Sequence, residues 1–300
     1  MKRPSLEGTT GYLGELMTAV SEHELVLPEG TLRLSVSAAS DLGKVRKVNE
    51  DSFLAQDGLF LVADGMGGHS FGDRASQSVV GTFAAAAAEG GRLTPDRVVQ
   101  TIHSSNQAVV AMTDDDEESV SGTTLAGLAL VQSETAHHWM AFNVGDSRVY
   151  SWDGRKLEQV TVDHSAVQEL LDLGQITAIE ASEHPHRNVV TRAIGVGDIV
   201  DPDIWLLPVA GRQLFLACSD GLTKELDDDQ IAGILADRFQ LQDDYTVAER
   251  LVEAALAAGG ADNVTVVVVE SELVGTAHSA DEDTNDRGIP QHLEVTRPRK

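Results

Sequence analysis

The chain has 300 residues, 42% of them hydrophobic, which is enough to bury a substantial core in one large domain or two small ones. Its 48 acidic against 22 basic residues give a formal charge of −26, which argues against binding extended polyanions such as nucleic acid or an anionic membrane surface. The single cysteine, Cys218, excludes an intrachain disulfide and suits a reducing compartment, and no segment reaches the roughly 20 apolar residues needed to span a bilayer.

Residues 1–31 read as an N-terminal extension. Leu13, Leu16, Met17 and Val20 fall at i, i+3, i+4 and i+7, which predicts one short amphipathic helix, and Glu15 interrupts the apolar run that a signal peptide or anchor needs. Strand patterns then dominate. "TLRLSVSAAS" alternates apolar and polar residues, a strand is expected to begin near Phe53, and "LFLVADG" is apolar without alternation. A helix from about Arg74 presents Val79, Phe83 and Ala87 on one face. A second opens at Thr94-Pro95-Asp96, a cap followed by proline at the first helical position, and continues through Val98, Ile102, Val109 and Met112. The acidic run Thr113 to Glu118 ends that helix and reads as a solvated loop.

"TLAGLALV" and "WMAFNVG" are further apolar strands, and "RVYSWDGRKLEQV" places an Asp-Gly turn between two strand-like halves. Two short helices follow in an insert over about 164–192, expected to form a flap. Ser165 with Gln168, and Thr177 with Glu180, have capping-box spacing; Val167, Leu170 and Leu171 share a face, and Gly174 is a stop signal. "IWLLPV" and "QLFLAC" are strands, Asp229 to Phe239 and Tyr245 to Ala258 helices, and "NVTVVVVE" the last strand. Polar sequence begins at Ser271, and 272–300 is expected to be a disordered tail. Helices do not alternate one for one with strands, so the expected class is α+β, a layered sandwich.

Four Asp-Gly dipeptides act as internal controls on one another. Asp57-Gly58 and Asp153-Gly154 lie between polar-flanked strands and read as hairpin turns. Asp64-Gly65 and Asp220-Gly221 end "LFLVA" and "LFLAC" runs that have no polar face, as expected of strands buried on both sides, and a carboxylate leaving such a strand is costly unless it has a partner. Glu50 and Asp51 precede the strand near Phe53, Asp146 sits between two strands, and Asp262 precedes the last one. Carboxylates converging at one end of a sandwich repel one another unless cations bind between them. An all-oxygen donor set favours Mg²⁺ or Mn²⁺, and there is no His or Cys set with zinc spacing. Cys218, inside an apolar run, reads as a small buried hydrophobe.

The stretches "SDLGKVRKVNEDSF", "LFLVADGMGGHSFGDRAS", "SGTTLAGLAL", "NVGDSRVY", "DHSAVQELLDLGQIT", "HPHRNVVTRAIG", "LFLACSDGL" and "GGADNVTVVVVE" occur in that order over about residues 32–271. Together they resemble the metal-dependent protein serine/threonine phosphatases of type 2C, bacterial branch. The resemblance implies a catalytic domain over 32–271 built as a four-layer α-β-β-α sandwich, with two mainly antiparallel sheets flanked by helix pairs. It implies two Mn²⁺ or Mg²⁺ ions per site. Asp64 would bridge them, the Gly65 carbonyl and Glu50 would serve the first, and Asp220 and Asp262 the second. Asp146 would share a third, weaker ion with Asp220, Asp51 and Asn263 would support the ligands, and Arg46 would bind the substrate phosphate with its planar fork.

The reaction implied is hydrolysis of phosphoserine and phosphothreonine by a water held between two cations about 3.5–4 Å apart. A histidine that follows Asp-Gly in eukaryotic members is Met66 here and has no proton to give, so a water on the third ion at Asp146 is expected to protonate the leaving group. His69 is expected to cap or pack its loop, and His137 and His138 to be exposed. The expected setting is cytoplasmic and monomeric, with phosphorylated proteins and Ser/Thr kinases as partners and no nucleic acid or membrane. Two other readings are a catalytically weak phosphoprotein-binding module, which the presence of Asp64, Asp220 and Asp262 disfavours, and a dedicated partner-switching phosphatase. Relatives of the latter often carry sensor domains, for which the extension is too small.

Overall fold

The computed structural model describes residues 16–56, 58–67, 71–113, 121–133, 136–238 and 245–275. Its first half runs β1 (Met17–Leu27), β2 (Gly30–Asp41), β3 (Asp51–Gln56), β4 (Leu59–Gly67), α1 (Gly72–Ala88), α2 (Pro95–Thr113), β5 (Ser121–Thr123), β6 (Leu125–Ser133) and β7 (Ala136–Val144). The second half runs β8 (Arg148–Trp152), β9 (Leu157–Gln159), α3 (Ala166–Asp172), α4 (Ala178–Ser182), β10 (Asp203–Pro208), β11 (Arg212–Cys218), α5 (Asp220–Thr223), α6 (Asp228–Asp237), α7 (Val247–Ala258) and β12 (Val264–Gly275).

The strands without a polar face decide the architecture. In β4, Leu59, Leu61 and Ala63 pack under α1 and α2 while Phe60 and Val62 point the other way into the space between the sheets. In β11, Leu214, Leu216 and Cys218 pack under α6 and α7, and Phe215 and Ala217 face the same inter-sheet core. Each strand therefore buries both of its faces, as a four-layer α-β-β-α sandwich requires. All pairings are antiparallel. One sheet has the order β1-β2-β12-β11-β8-β9, the other β10-β7-β6-β4-β3 with β5 beside β4. Trp139 is fully buried at the centre, its ring 5.6 Å from Phe215 and 6.3 Å from Phe60. Burial pushes the Cys218 thiol up to about 12, in keeping with a packing role. Among the described residues no helix is long and apolar enough to cross a membrane.

Several local expectations need correction. The apolar spacing of Leu16, Met17 and Val20 predicted a helix, but Met17–Leu27 is a strand, paired along its whole length with β2 from Met17↔Ser40 to Leu27↔Gly30. The same residues also fit a two-residue repeat through Met17, Ala19 and Ser21, and an available sheet edge outweighs a weak helical preference. Leu13 lies outside the described residues. At the other end β12 runs to Gly275, past the expected break at Ser271, and the rest of the tail lies outside the described residues.

His137 and His138 belong to β7 and are half-buried, His137 Nδ1 lying 3.3 Å from Glu29. Thr177 and Glu180 form their capping box, whereas Ser165 caps α3 alone because the Gln168 side chain turns to Asp172. Two further boxes, Asp227 with Gln230 and Thr246 with Glu249, start α6 and α7. The expected helix end Phe239, Asp57 of the first hairpin turn and the acidic run after Thr113 lie outside the described residues.

Candidate metal centre

Asp64 sits where β4 changes partners. Leu59–Val62 pair with β6, and beyond Asp64 the residues Gly65–Gly67 pair with β5. Its dipeptide is therefore a crossing point within a strand, not a turn at the strand's tip. The switch is held from outside: the Asp64 N–H donates to Thr124 Oγ1 at 3.0 Å, and its carbonyl accepts from Thr124 N and Thr123 Oγ1, both at 2.9 Å. Thr124 in turn shares a 2.6 Å hydrogen bond with Ser147, the neighbour of Asp146. Asp51 lies directly across from Asp64 in the β3–β4 ladder. No side chain fits at Gly65, where a Cβ would stand 2.1 Å from the Gly72 carbonyl oxygen and 2.6 Å from that of Glu50; at Gly72 it would stand 2.6 Å from Glu50 Oε1. Two glycines thus let the Glu50 carboxylate approach the β4 backbone.

Asp220 is the first residue of α5, directly after the Ser219 N-cap that ends β11. Ser219 Oγ donates to Asp51 Oδ2 at 2.7 Å and accepts from Thr265 N at 2.9 Å, joining β11, β12 and β3 at one point. Asn263 performs the corresponding task for the 42–50 loop. Its amide nitrogen donates to the carbonyls of Leu42 and Val48, at 2.8 and 3.0 Å, and its oxygen accepts from Glu50 N at 2.9 Å. Gly221 packs so closely on the Asp262–Asn263 segment that a Cβ would stand 1.9 Å from the Asn263 carbonyl oxygen.

The result is a concentration of negative charge around buried Asp51 and Asp146, with Glu50, Asp64, Asp220 and Asp262 half-buried beside them. Burial, then Asp51, Asp220, Asp146 and Asp262 in turn, drive the Asp64 carboxyl well above the usual carboxylate range. Burial pushes Asp51 up to about 7, helped by Asp220 and Asp262 against the Ser219 and Thr265 hydroxyls. Asp146 also rises to about 7, through burial and then Asp220 and Asp163. Glu50 and Asp220 rise mainly through burial as well, and Asp220 lies within hydrogen-bonding reach of Asp64. Asp51 Oδ1 and Asp220 Oδ1 are buried without a partner.

Two cations oppose this field. The Arg46 fork grips Asp262, Nε to Oδ1 at 2.7 Å and Nη2 to Oδ2 at 2.9 Å, and the Lys224 ammonium bridges Asp220 at 2.5 Å and Asp262 at 3.0 Å. Burial works to raise Asp262, but these partners outweigh it and hold the group below its ordinary range. Among the described residues no three carboxylate or imidazole groups enclose a cation as they stand. The set nevertheless suits a hard divalent ion, since the donors are all oxygens, two carboxylate oxygens are orphaned in the interior, and glycines clear the approach to Glu50.

The family model of protein phosphatase 2C matches residues 44–256. The chain belongs to the protein phosphatase 2C family. Its relatives include the serine/threonine phosphatase stp of Listeria monocytogenes, 34% identical over 252 residues, covering 80% of this chain and 97% of stp. Another is the serine/threonine protein phosphatase PstP of Mycobacterium tuberculosis, 38% identical over 244 residues, covering 80% of this chain but 45% of PstP. The crystal structure of the PstP catalytic domain in complex with two manganese ions superposes with TM-score 0.70 at 36% identity, covering 80% of this chain and 99% of that one. The phosphatase MsPP of Mycobacterium smegmatis, in complex with cacodylate, gives 0.69 at 36% identity over 78% and 97% of the two chains.

Within this 2C phosphatase, the structure gathers Glu50, Asp51, Asp64, Gly65, Asp146, Asp220, Asp262 and Asn263 at one end of the sandwich, with Arg46 at its exposed rim. Met66 is in β4, opposite Gly122, and His69 lies outside the described residues. Sequence reasoning missed Lys224, Ser219, Thr124 and Gly72. Only Lys224 carried a local signal, four residues after Asp220 at the spacing of facing side chains on a helical turn.

Proposed function

We propose that the cluster is the metal centre of this metal-dependent protein serine/threonine phosphatase. One observation carries the assignment: Asp64 is half-buried, directly across the ladder from buried Asp51 and in the field of Asp146, Asp220 and Asp262, an arrangement that is tolerable in a folded protein when cations neutralise it. Asp64, Glu50 and the Gly65 carbonyl would hold one Mn²⁺ or Mg²⁺; Asp64, Asp220 and Asp262 a second; and Asp146 with Asp220 a weaker third. Two such ions lower the pKa of a water held between them and neutralise charge on the phosphoryl group. Asp51, bonded to Ser219, and Asn263, bonded to Glu50, orient these ligands.

Arg46 binds the substrate phosphate. Two of its five N–H donors point at Asp262, and the others remain for phosphoryl oxygens at a half-exposed rim. Met66 carries no proton, so the leaving serine or threonine oxygen is protonated from water ordered at Asp146. The catalytic unit spans about 32–271, with the 164–192 flap influencing which phosphoproteins reach Arg46. The setting we assign is a cytoplasmic monomer that reverses Ser/Thr kinases. The test is release of phosphate from a phosphothreonine peptide: turnover by the wild type should require Mn²⁺ or Mg²⁺ and fall at least a hundredfold in Asp220→Asn, on the order expected when an electrostatic catalytic element is lost. Metal-independent turnover, or an Asp220→Asn variant as active as wild type, would overturn the assignment.

A further inference from the structure

Lys224 has no part in the chemistry described so far, yet its ammonium lies between two of the proposed ligands, 2.5 Å from Asp220 Oδ2 and 3.0 Å from Asp262 Oδ2. We propose that Lys224 is a tethered cation that competes with the divalent metal for Asp220 and Asp262, and so sets the affinity of that metal position. The inference rests on the metal reading above and deepens it.

The tether is short and fixed at its root. Lys224 is the C-cap of α5, and its N–H donates to the Asp220 carbonyl at 2.8 Å, so one helical turn carries both the carboxylate and the cation beside it. The side chain is about a third exposed, with its head on the two carboxylates. Asp262 is doubly engaged, since Arg46 and Lys224 both reach its Oδ2. Arg46 and Lys224 together offset the charges of Asp220 and Asp262 one for one.

A divalent ion bound to the same oxygens would lie within a few ångströms of the ammonium, where two positive charges repel strongly even with partial screening. Metal binding must therefore displace the Lys224 head, and the energy of its two ion pairs is subtracted from the affinity. A merely structural bridge predicts the opposite dependence: loss of Lys224 would loosen α5 and weaken metal binding.

The test is calorimetric titration of Mn²⁺ into the full chain, stripped with EDTA and dialysed, for wild type, Lys224→Met and Lys224→Arg. Lys224→Met should bind Mn²⁺ about tenfold more tightly at one position, because a repelling charge is gone, while Lys224→Arg should stay near wild type. Thermal melts give a second readout. In EDTA, Lys224→Met should melt below wild type, having lost the counter-ion of two acids, and saturating Mn²⁺ should raise its midpoint by more than it raises that of wild type. Unchanged or weaker Mn²⁺ binding by folded Lys224→Met would overturn the proposal while leaving the metal centre intact. A wild type that takes up no Mn²⁺ would instead overturn the metal centre, and this inference with it. Should Lys224→Met fail to fold, Lys224→Gln removes the same charge from a shorter side chain, and the same outcomes decide.

Discussion

Asn263 illustrates how much of the centre depends on a side chain that does no chemistry. It is buried, and its amide joins three backbone groups of the 42–50 loop: the carbonyls of Leu42 and Val48 and the N–H of Glu50. That loop carries both Arg46 and Glu50, while the Asn263 N–H itself donates to Asp262 Oδ1 at 2.9 Å. Removing the amide leaves three backbone groups without their partner at the base of the loop. Asn263→Ala should therefore cost about 2–4 kcal/mol in urea unfolding. It should also weaken Mn²⁺ binding, read by calorimetry on the fraction that remains folded. A loss of stability under about 1 kcal/mol would mean that water or a shifted loop replaces the amide.

At the scale of elements, the insert over 164–192 is zipped shut at its root. Ser165 pairs with Val190, Ala166 N donates to the Val189 carbonyl and Thr191 N to that of His164. His164 Nδ1 accepts the Gly145 N–H at 3.0 Å, which puts the ring proton on Nε2, 3.3 Å from Asp203 though off the line of an ideal hydrogen bond. Arg192, at the end of that insert, donates to the other Asp203 oxygen at 2.9 Å. The His164 contact holds the Asp203 carboxyl low, burial pulls the other way, and Arg192 adds to the lowering. A depressed carboxyl stabilises the fold above its unfolded value, near 3.9, and loses that contribution as pH falls through the folded value. Asp203→Asn should thus cost up to about 1 kcal/mol at pH 7, given partial exposure, and the gap from wild type should shrink below pH 4, measured by denaturant unfolding at both pH values.

Sequence reasoning could read the strands around this root, because LFLVA and LFLAC have apolar side chains on both faces, a pattern only a covered sheet satisfies. It could also read the acids, which end or interrupt those strands. It misread Met17–Leu27, whose spacing suits helix and strand alike until β2 supplies a partner. It could not see Ser219 reaching Asp51, or Thr124 holding Asp64, since hydroxyls at those positions are unremarkable until the fold brings distant segments together.

For the whole molecule, a net charge of −26 and a cluster of buried and half-buried acids make two distinct electrostatic demands. Surface repulsion is diffuse, and any salt relieves it over a Debye length of about 8 Å at physiological ionic strength. The carboxylates at the sandwich end are only partly exposed to bulk ions and respond more strongly to a cation that binds among them. Heating should separate the two. NaCl should raise the melting midpoint of wild type and Asp220→Asn alike. Mn²⁺ at matched ionic strength should add a further stabilisation, larger in wild type than in Asp220→Asn, which keeps only the Asp64 and Glu50 position intact. In wild type it should grow with the logarithm of the Mn²⁺ concentration, by about 2.7 kcal/mol per position at a hundredfold excess over the dissociation constant. Trp139→Ala supplies the control. It empties the core between the sheets, where Trp139 touches Phe60 and Phe215, and should lower the starting stability by about 3–5 kcal/mol. Because that core contributes no ligand, the Mn²⁺ increment should persist in Trp139→Ala. An increment that vanished there, or one that NaCl reproduced in full, would mean that manganese acts through general screening or core order and not through the acids around Asp64.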